Sequence, residues 1–163
     1  MKVNNLYLLL GTNLGERNQN LKNALAKIEE KIGVITSLSS IYETAAWGKT
    51  DQPNFLNQAI CVKTSLKPLE VLAQTQKIEN VLGRTKTEHW GERIIDIDIL
   101  YFADKIFETE NLQIPHPFIQ SRRFTLIPLT EIAAEFIHPK LKKTNAKLLE
   151  ICEDFGEVWQ FFS

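Results

Sequence analysis

Two carboxylates stand two residues apart in the segment Arg93-Ile94-Ile95-Asp96-Ile97-Asp98-Ile99-Leu100-Tyr101. The alternation of apolar and acidic residues is that of a β-strand. It places Ile95, Ile97, Ile99 and Tyr101 on one face and Asp96 and Asp98 on the other. Two strand steps span about 6.6 Å, so both carboxylates reach one small volume. Like charges side by side on a strand repel, and Asp is a poor strand former. Such a pair persists most readily where a cation lies between the groups. Hard oxygen donors suit Mg²⁺, which takes one or two carboxylates and fills its shell with water and phosphate oxygens. Taken alone, the pair also fits the solvated face of an edge strand.

The residues just ahead of the pair add to this chemistry. Arg84, Lys86, His89, Trp90 and Arg93 form a cation-rich stretch with one large aromatic ring. Arginine presents a planar fork matched to phosphate oxygens. Cations beside a carboxylate pair are what phosphoryl transfer requires, since its barrier is lowered mainly by positioning and charge neutralisation. A solvated loop with surface ion pairs is the plainer reading of any single arginine. Trp90 can anchor the loop on the core or close over a nucleotide. Gln76 and Glu79 lie one helical turn apart and share a face.

These residues need a scaffold, and the chain supplies one in a regular order. Val3–Leu10 reads as a strand broken by Gly11-Thr12-Asn13-Leu14-Gly15. A helix follows over Arg17–Ile32, with Leu21, Ala24, Leu25, Ile28 and Ile32 forming one apolar stripe. Val34–Thr44 reads as a strand, Ala45–Pro53 as a loop and Phe55–Thr64 as another strand. Pro68 opens a second helix that runs to Leu82. A polar loop, Arg84–Glu92, then enters the strand Ile94–Phe102. The order β-α-β-β-α-β predicts an α+β, ferredoxin-like plait: an antiparallel sheet with both helices on one face. Beyond Asp104 come a small hairpin to Ile114, the run Pro115-His116-Pro117, and helical additions near Arg123–Ala133 and Ala146–Glu153. His89 and His138 read as surface residues.

Composition sets the outer limits. The 163 residues are 44% hydrophobic and 24% charged, with a formal net charge of -1. One globular domain over 1–163 is expected. The charge argues against a broad surface for nucleic acid. The two cysteines, Cys61 and Cys152, form no CxxC, so neither a disulfide framework nor a zinc site is expected. Leu6–Leu10 is too short for a membrane span or a signal segment, which makes a cytoplasmic protein the default.

The ordered motifs are specific enough for a resemblance. Leu10-Gly11-Thr12-Asn13-Leu14-Gly15, Tyr42-Glu43-Thr44, Asp51-Gln52-Pro53-Asn54-Phe55-Leu56-Asn57, Gln76-Lys77-Ile78-Glu79 and Gly83-Arg84 come first. Trp90-Gly91-Glu92-Arg93-Ile94-Ile95-Asp96-Ile97-Asp98-Ile99 and Ile114-Pro115-His116-Pro117 follow. From Leu6 to about Ala134 the chain resembles the 6-hydroxymethyl-7,8-dihydropterin pyrophosphokinases. The resemblance implies the ferredoxin-like plait and transfer of the pyrophosphoryl group of ATP to the pterin hydroxymethyl group, in folate biosynthesis, by a monomer. It implies two Mg²⁺ ions held by Asp96 and Asp98, and phosphate handling by Arg84 and Arg93. It puts Gln76, Glu79, Lys86, Trp90, Arg93, Ile99, His116 and Arg122 around ATP. Thr44, Ala45, Trp47, Phe55, Asn57 and Phe124 go around the pterin, where rings can stack on its faces and Asn57 can meet its amide edge. The chain departs from the common pattern in five places, one being a loop between Arg84 and Trp90 that is one residue shorter. Ala45-Ala46-Trp47 stands for Pro-Pro-Leu, Phe55 for Tyr, and Lys86 for a second arginine. Asn111 stands where some members have arginine.

Two other classes share parts of this reading. An RNA-binding module of the same plait should carry an aromatic RNP-type run on a central strand, and this sequence has none. A metal-dependent phosphohydrolase would use water in place of the pterin.

Overall fold

The computed structural model describes residues 2–45, 53–83 and 94–162. The chain order is β1 (Asn4–Thr12), α1 (Arg17–Lys31), β2 (Val34–Leu38), β3 (Tyr42–Thr44), β4 (Phe55–Thr64), α2 (Pro68–Leu82) and β5 (Asp96–Phe102). The hairpin β6 (Phe107–Glu108) and β7 (Gln113–Ile114) follows, then α3 (Arg123–Ala133), α4 (Asn145–Glu150) and β8 (Val158–Gln160). The main sheet runs β5-β1-β4-β3-β8, and β2 pairs with β4 as well. Each of these pairings is antiparallel.

Hydrophobic patterning explains the layers. The α1 stripe of Leu21, Ala24 and Ile28 and the α2 residues Val71 and Ile78 pack on one side of the sheet with Leu6, Leu8, Leu10, Ile60 and Val62. The opposite side is also covered. Leu126 and Leu129 of α3 and Leu148 of α4 pack there with Leu9, Ala59, Leu100 and Tyr101. Helices therefore lie on both sides, the second pair being the C-terminal additions.

Three sequence expectations change. The strand foreseen over 34–44 is two strands that share one edge of β4. Ser39 interrupts it: its hydroxyl accepts from the Ala59 N–H at 2.9 Å, and its carbonyl accepts from the Gln58 side chain at 2.8 Å. Local polar contacts of this kind compete with a regular ladder. β1 does not stop before Gly11 but continues through Gly11 and Thr12, which pair with Asn57 and Leu56. Tyr101 does not share a face with Ile97 and Ile99. Leu8 pairs with Ile99 and Tyr7 with Tyr101, leaving Leu100 as the extra residue of a bulge. Past that point the faces exchange, and Tyr101 joins the second core. Its hydroxyl donates to Asn145 Oδ1 at 2.7 Å, and Asn145 Nδ2 donates to the Ala133 carbonyl at 2.8 Å. This buried chain fastens the C-terminal helices to β5.

His138 is a further correction: it is 3% exposed, beside Tyr101. Its Nδ1 accepts from the backbone N–H groups of Lys140 and Leu141. Burial, with Lys140 nearby, pushes its pKa down to about 4. The unfolded chain then binds a proton between pH 6.5 and 4 that the folded chain refuses. Stability is therefore greatest above about pH 6.5 and falls by on the order of 3 kcal/mol towards pH 4. Urea midpoints measured across this range should fall less steeply for His138→Asn, which keeps an acceptor at the Nδ1 position. Equal slopes for both proteins would refute the assignment.

Candidate active site at the end of the sheet

The register of β1, β4 and β5 brings the sequence-predicted residues together. Asp98 lies opposite Leu9, and Asp96 opposite Gly11. Gly11 in turn lies opposite Asn57. Paired residues share a sheet face, so the two half-buried carboxylates and Asn57 point to the same side, at the end of the sheet beyond the second core. The carboxylate pair on one face is as the alternation predicts.

A cavity of about 480 Å³ opens there. Thr44, Phe55 and Asn57 form one wall, Asp96 and Asp98 another, and Phe124, Arg122 and Phe118 a third. Asn57 and Thr44 are buried, with Asn57 Nδ2 3.5 Å from Thr44 Oγ1, a weak bond at the limit of hydrogen-bond length. Gly11 belongs to the floor. A Cβ at that position would stand 3.1 Å from Asn57 Oδ1, so its absence leaves the amide oxygen its place. Arg122 holds its guanidinium 4.9 Å from the Phe118 ring centroid and 5.6 Å from that of Phe124. This cation–π packing presets a long side chain at the cavity wall.

A second cavity, of about 500 Å³, lies on the other side of Asp98. Ile97, Ile99, Asn111, His116 and Pro117 line it, and Asp98 and Phe118 border both cavities. His116 is held by its own backbone N–H, which donates to the Leu100 carbonyl at 2.9 Å. Its Nδ1 accepts from the Phe118 N–H at 3.1 Å. The neutral ring therefore carries its proton on Nε2, as a donor. Burial lowers the His116 pKa; the nearby Asp98 opposes this and Arg122 adds to it.

Of the residues singled out from sequence, Thr44, Phe55, Asn57, Asp96, Asp98, Arg122 and Phe124 line the first cavity, and Ile99, His116 and Asp98 the second. Glu79 takes a different contact: its Oε2 accepts the Ile97 N–H at 2.7 Å, capping a donor on the outer edge of β5. Gln76 and Ala45 are exposed and line neither cavity. Trp47, Arg84, Lys86, Trp90 and Arg93 lie outside the described residues. Sequence reasoning missed Phe118 and Leu9. Phe118 follows Pro115-His116-Pro117 directly, and an aromatic residue next to a motif histidine was the available signal.

The profile of the 7,8-dihydro-6-hydroxymethylpterin-pyrophosphokinase (HPPK) family matches residues 7–134. The chain belongs to this family. It is 44% identical over 138 residues to the 2-amino-4-hydroxy-6-hydroxymethyldihydropteridine pyrophosphokinase of Aquifex aeolicus, covering 85% of this chain and 86% of the relative. The enzyme of the same name from Bacillus subtilis is 47% identical, over 82% of this chain and 81% of the relative. Among solved structures, Plasmodium falciparum HPPK-DHPS with pterin and p-hydroxybenzoate superposes with a TM-score of 0.75 at 22% identity. That match covers 91% of this chain and 43% of the longer one, and it shows a shared fold. The family match ends at residue 134, so α4 and β8 lie beyond it.

The donor set can be tested against a divalent cation. Asp96 and Asp98 supply two carboxylates on one strand face, and no group of three or more His, Cys, Asp and Glu residues suited to a metal occurs among the described residues. Two carboxylates with room beside them fit Mg²⁺, whose remaining ligands come from water and substrate phosphate. Among the described residues, no helix is long and apolar enough to cross a membrane.

Proposed function

We propose that this chain transfers the pyrophosphoryl group of ATP to the hydroxymethyl group of 6-hydroxymethyl-7,8-dihydropterin, giving AMP and the pterin diphosphate for folate biosynthesis. The observation that carries the reading is the place of Asp98 on the border of two cavities, with Asp96 beside it. One cavity has the amide and aromatic walls that a flat, hydrogen-bonding bicycle needs; the other has a fixed imidazole donor suited to a nucleotide.

The pterin lies between Phe55 and Phe124, and Asn57 and Thr44 meet its polar edge. Ile99, His116, Gln76 and Glu79 are assigned to the ATP side, with Lys86 and Trp90 from the segment before β5. Arg122 reaches the phosphates from the wall of the first cavity, beside Phe118, and Arg84 and Arg93 bind the transferring group. The pterin hydroxyl oxygen attacks the β-phosphorus in line. Its new O–P bond forms as the bond from the β-phosphorus to the bridging oxygen of the α-phosphate breaks, and AMP leaves with that oxygen. The hydroxyl proton passes to solvent. Asp96 and Asp98 would hold two Mg²⁺ ions, which when bound neutralise charge on the phosphate oxygens. Positioning and charge neutralisation supply most of the rate enhancement.

The order of β1 through β5, with β2 and β3 as one interrupted strand, supports a ferredoxin-like plait. We read the chain as one domain acting as a cytoplasmic monomer. Incubation with ATP, Mg²⁺ and hydroxymethyl-dihydropterin should form AMP only when the pterin is present. Phosphate or pyrophosphate released without pterin would instead identify a phosphohydrolase, and no turnover a binding module.

A further inference from the structure

We propose that Arg17, Glu43 and Trp159 form a clasp that holds β3 against β4, making the C-terminal strand part of the frame of the pterin cavity. The inference rests on the pterin reading above and assigns a task to residues beyond the family match.

β3 has three residues, at the short end of the usual range, so its own ladder with β4 is brief. β8 gives it a second neighbour, pairing Val158 with Thr44, Trp159 with Glu43 and Gln160 with Tyr42. Side chains then add a junction on the back of β3. Glu43 lies opposite Leu56, which faces the α1 and α2 side, whereas Thr44 lines the cavity. The Glu43 carboxylate accepts from Arg17 Nη1 at 2.7 Å and from Trp159 Nε1 at 3.1 Å, one on each oxygen. Arg17 Nη1 also donates to the Asn54 carbonyl at 2.9 Å, next to Phe55. Its guanidinium lies 5.5 Å from the Phe161 ring centroid, and the Phe161 N–H donates to the Ile41 carbonyl.

One carboxylate thus joins the start of α1 and the C-terminal strand, and one guanidinium extends the junction to the entry of β4. Exposed ion pairs contribute little. Here the Arg17 and Glu43 side chains are only 24% and 16% exposed, and each makes more than one contact. The residues held in place are Thr44 and Phe55, which pair directly with each other and face the cavity. Thr44 in turn is the hydrogen-bond partner of Asn57. Loosening the clasp displaces the pterin wall and leaves His116, Ile99 and Asp98 where they are.

The test measures KM for each substrate, kcat and Tm in Arg17→Met, Arg17→Lys, Glu43→Gln and Trp159→Phe. Arg17→Met and Glu43→Gln should raise the pterin KM about tenfold, equivalent to about 1.4 kcal/mol, with the ATP KM changed by less than about twofold. Arg17→Lys should recover part of the loss, since an ammonium keeps the charge without the fork. Trp159→Phe keeps an aromatic side chain, though a smaller one, and removes the Nε1–H donor to Glu43, so it reports the effect should Arg17→Met fail to fold. An unchanged pterin KM in Glu43→Gln and Trp159→Phe overturns the clasp, and so does an equal loss for both substrates alongside a fall in Tm. Wild-type chain without pterin-dependent AMP formation overturns the underlying reading instead.

Discussion

Asp96→Ala lowers pterin-dependent AMP formation by roughly 10³-fold or more, the scale expected when charge stabilisation of a transferring phosphoryl group is lost. The fold survives the change. Asp96 is half-buried at the first position of β5, opposite Gly11. Removing one of two neighbouring like charges also relieves repulsion across the pair. The loss should therefore appear in kcat with Tm nearly unchanged. Asp96→Asn, which keeps size and hydrogen bonding but not charge, should be almost as inactive. An Asn variant retaining more than about a tenth of wild-type kcat would show that charge is not what this position supplies.

The second large effect falls on Asn57. The group is 4% exposed and makes one long side-chain bond among the described residues, to Thr44. Most of its hydrogen-bonding capacity thus remains for a ligand. A pterin amide edge that loses both a donor and an acceptor in a desolvated slot is left with unpaired polar groups, each costing about 1–3 kcal/mol. Asn57→Ala should raise the pterin KM by roughly 10²-fold or more, with the ATP KM little altered. Gly11→Ala tests the same wall from beneath. Its added carbon would crowd Asn57 Oδ1 from 3.1 Å, so the pterin KM should rise several-fold without loss of Tm. An Asn57→Ala protein with normal pterin affinity would remove this face of the cavity from the substrate site.

Several features were legible before any coordinates. The alternation around Asp96 and Asp98 announced a strand with both acids on one face, and the register of β5 against β1 agrees. The apolar stripe from Leu21 to Ile32 gave the position of α1 closely, and Pro68 that of α2. Other features were not legible. The bulge at Leu100 exists only because β5 pairs with β1, and it sends Tyr101 to the face opposite that of Ile99. His138 sits among lysines and a proline, a context that reads as surface, yet it is buried with its ring against Tyr101 of β5. Val158–Gln160 is too short for any periodicity to reveal, and it becomes a strand because β3 offers an open edge.

The sequence by itself determined the chemical inventory of this protein: two acids two strand residues apart, their cationic neighbours, an amide, and the order of elements that carries them. Backbone sterics impose those patterns over a few residues, so they can be read from neighbours in the chain. Only the tertiary structure decided that Asp98 divides two cavities, that Phe118 walls both, and that the C-terminal strand braces Thr44. Each of these depends on side chains far apart in sequence meeting across a sheet. The free energy of that meeting comes from burial and pairing, which no short window of residues contains.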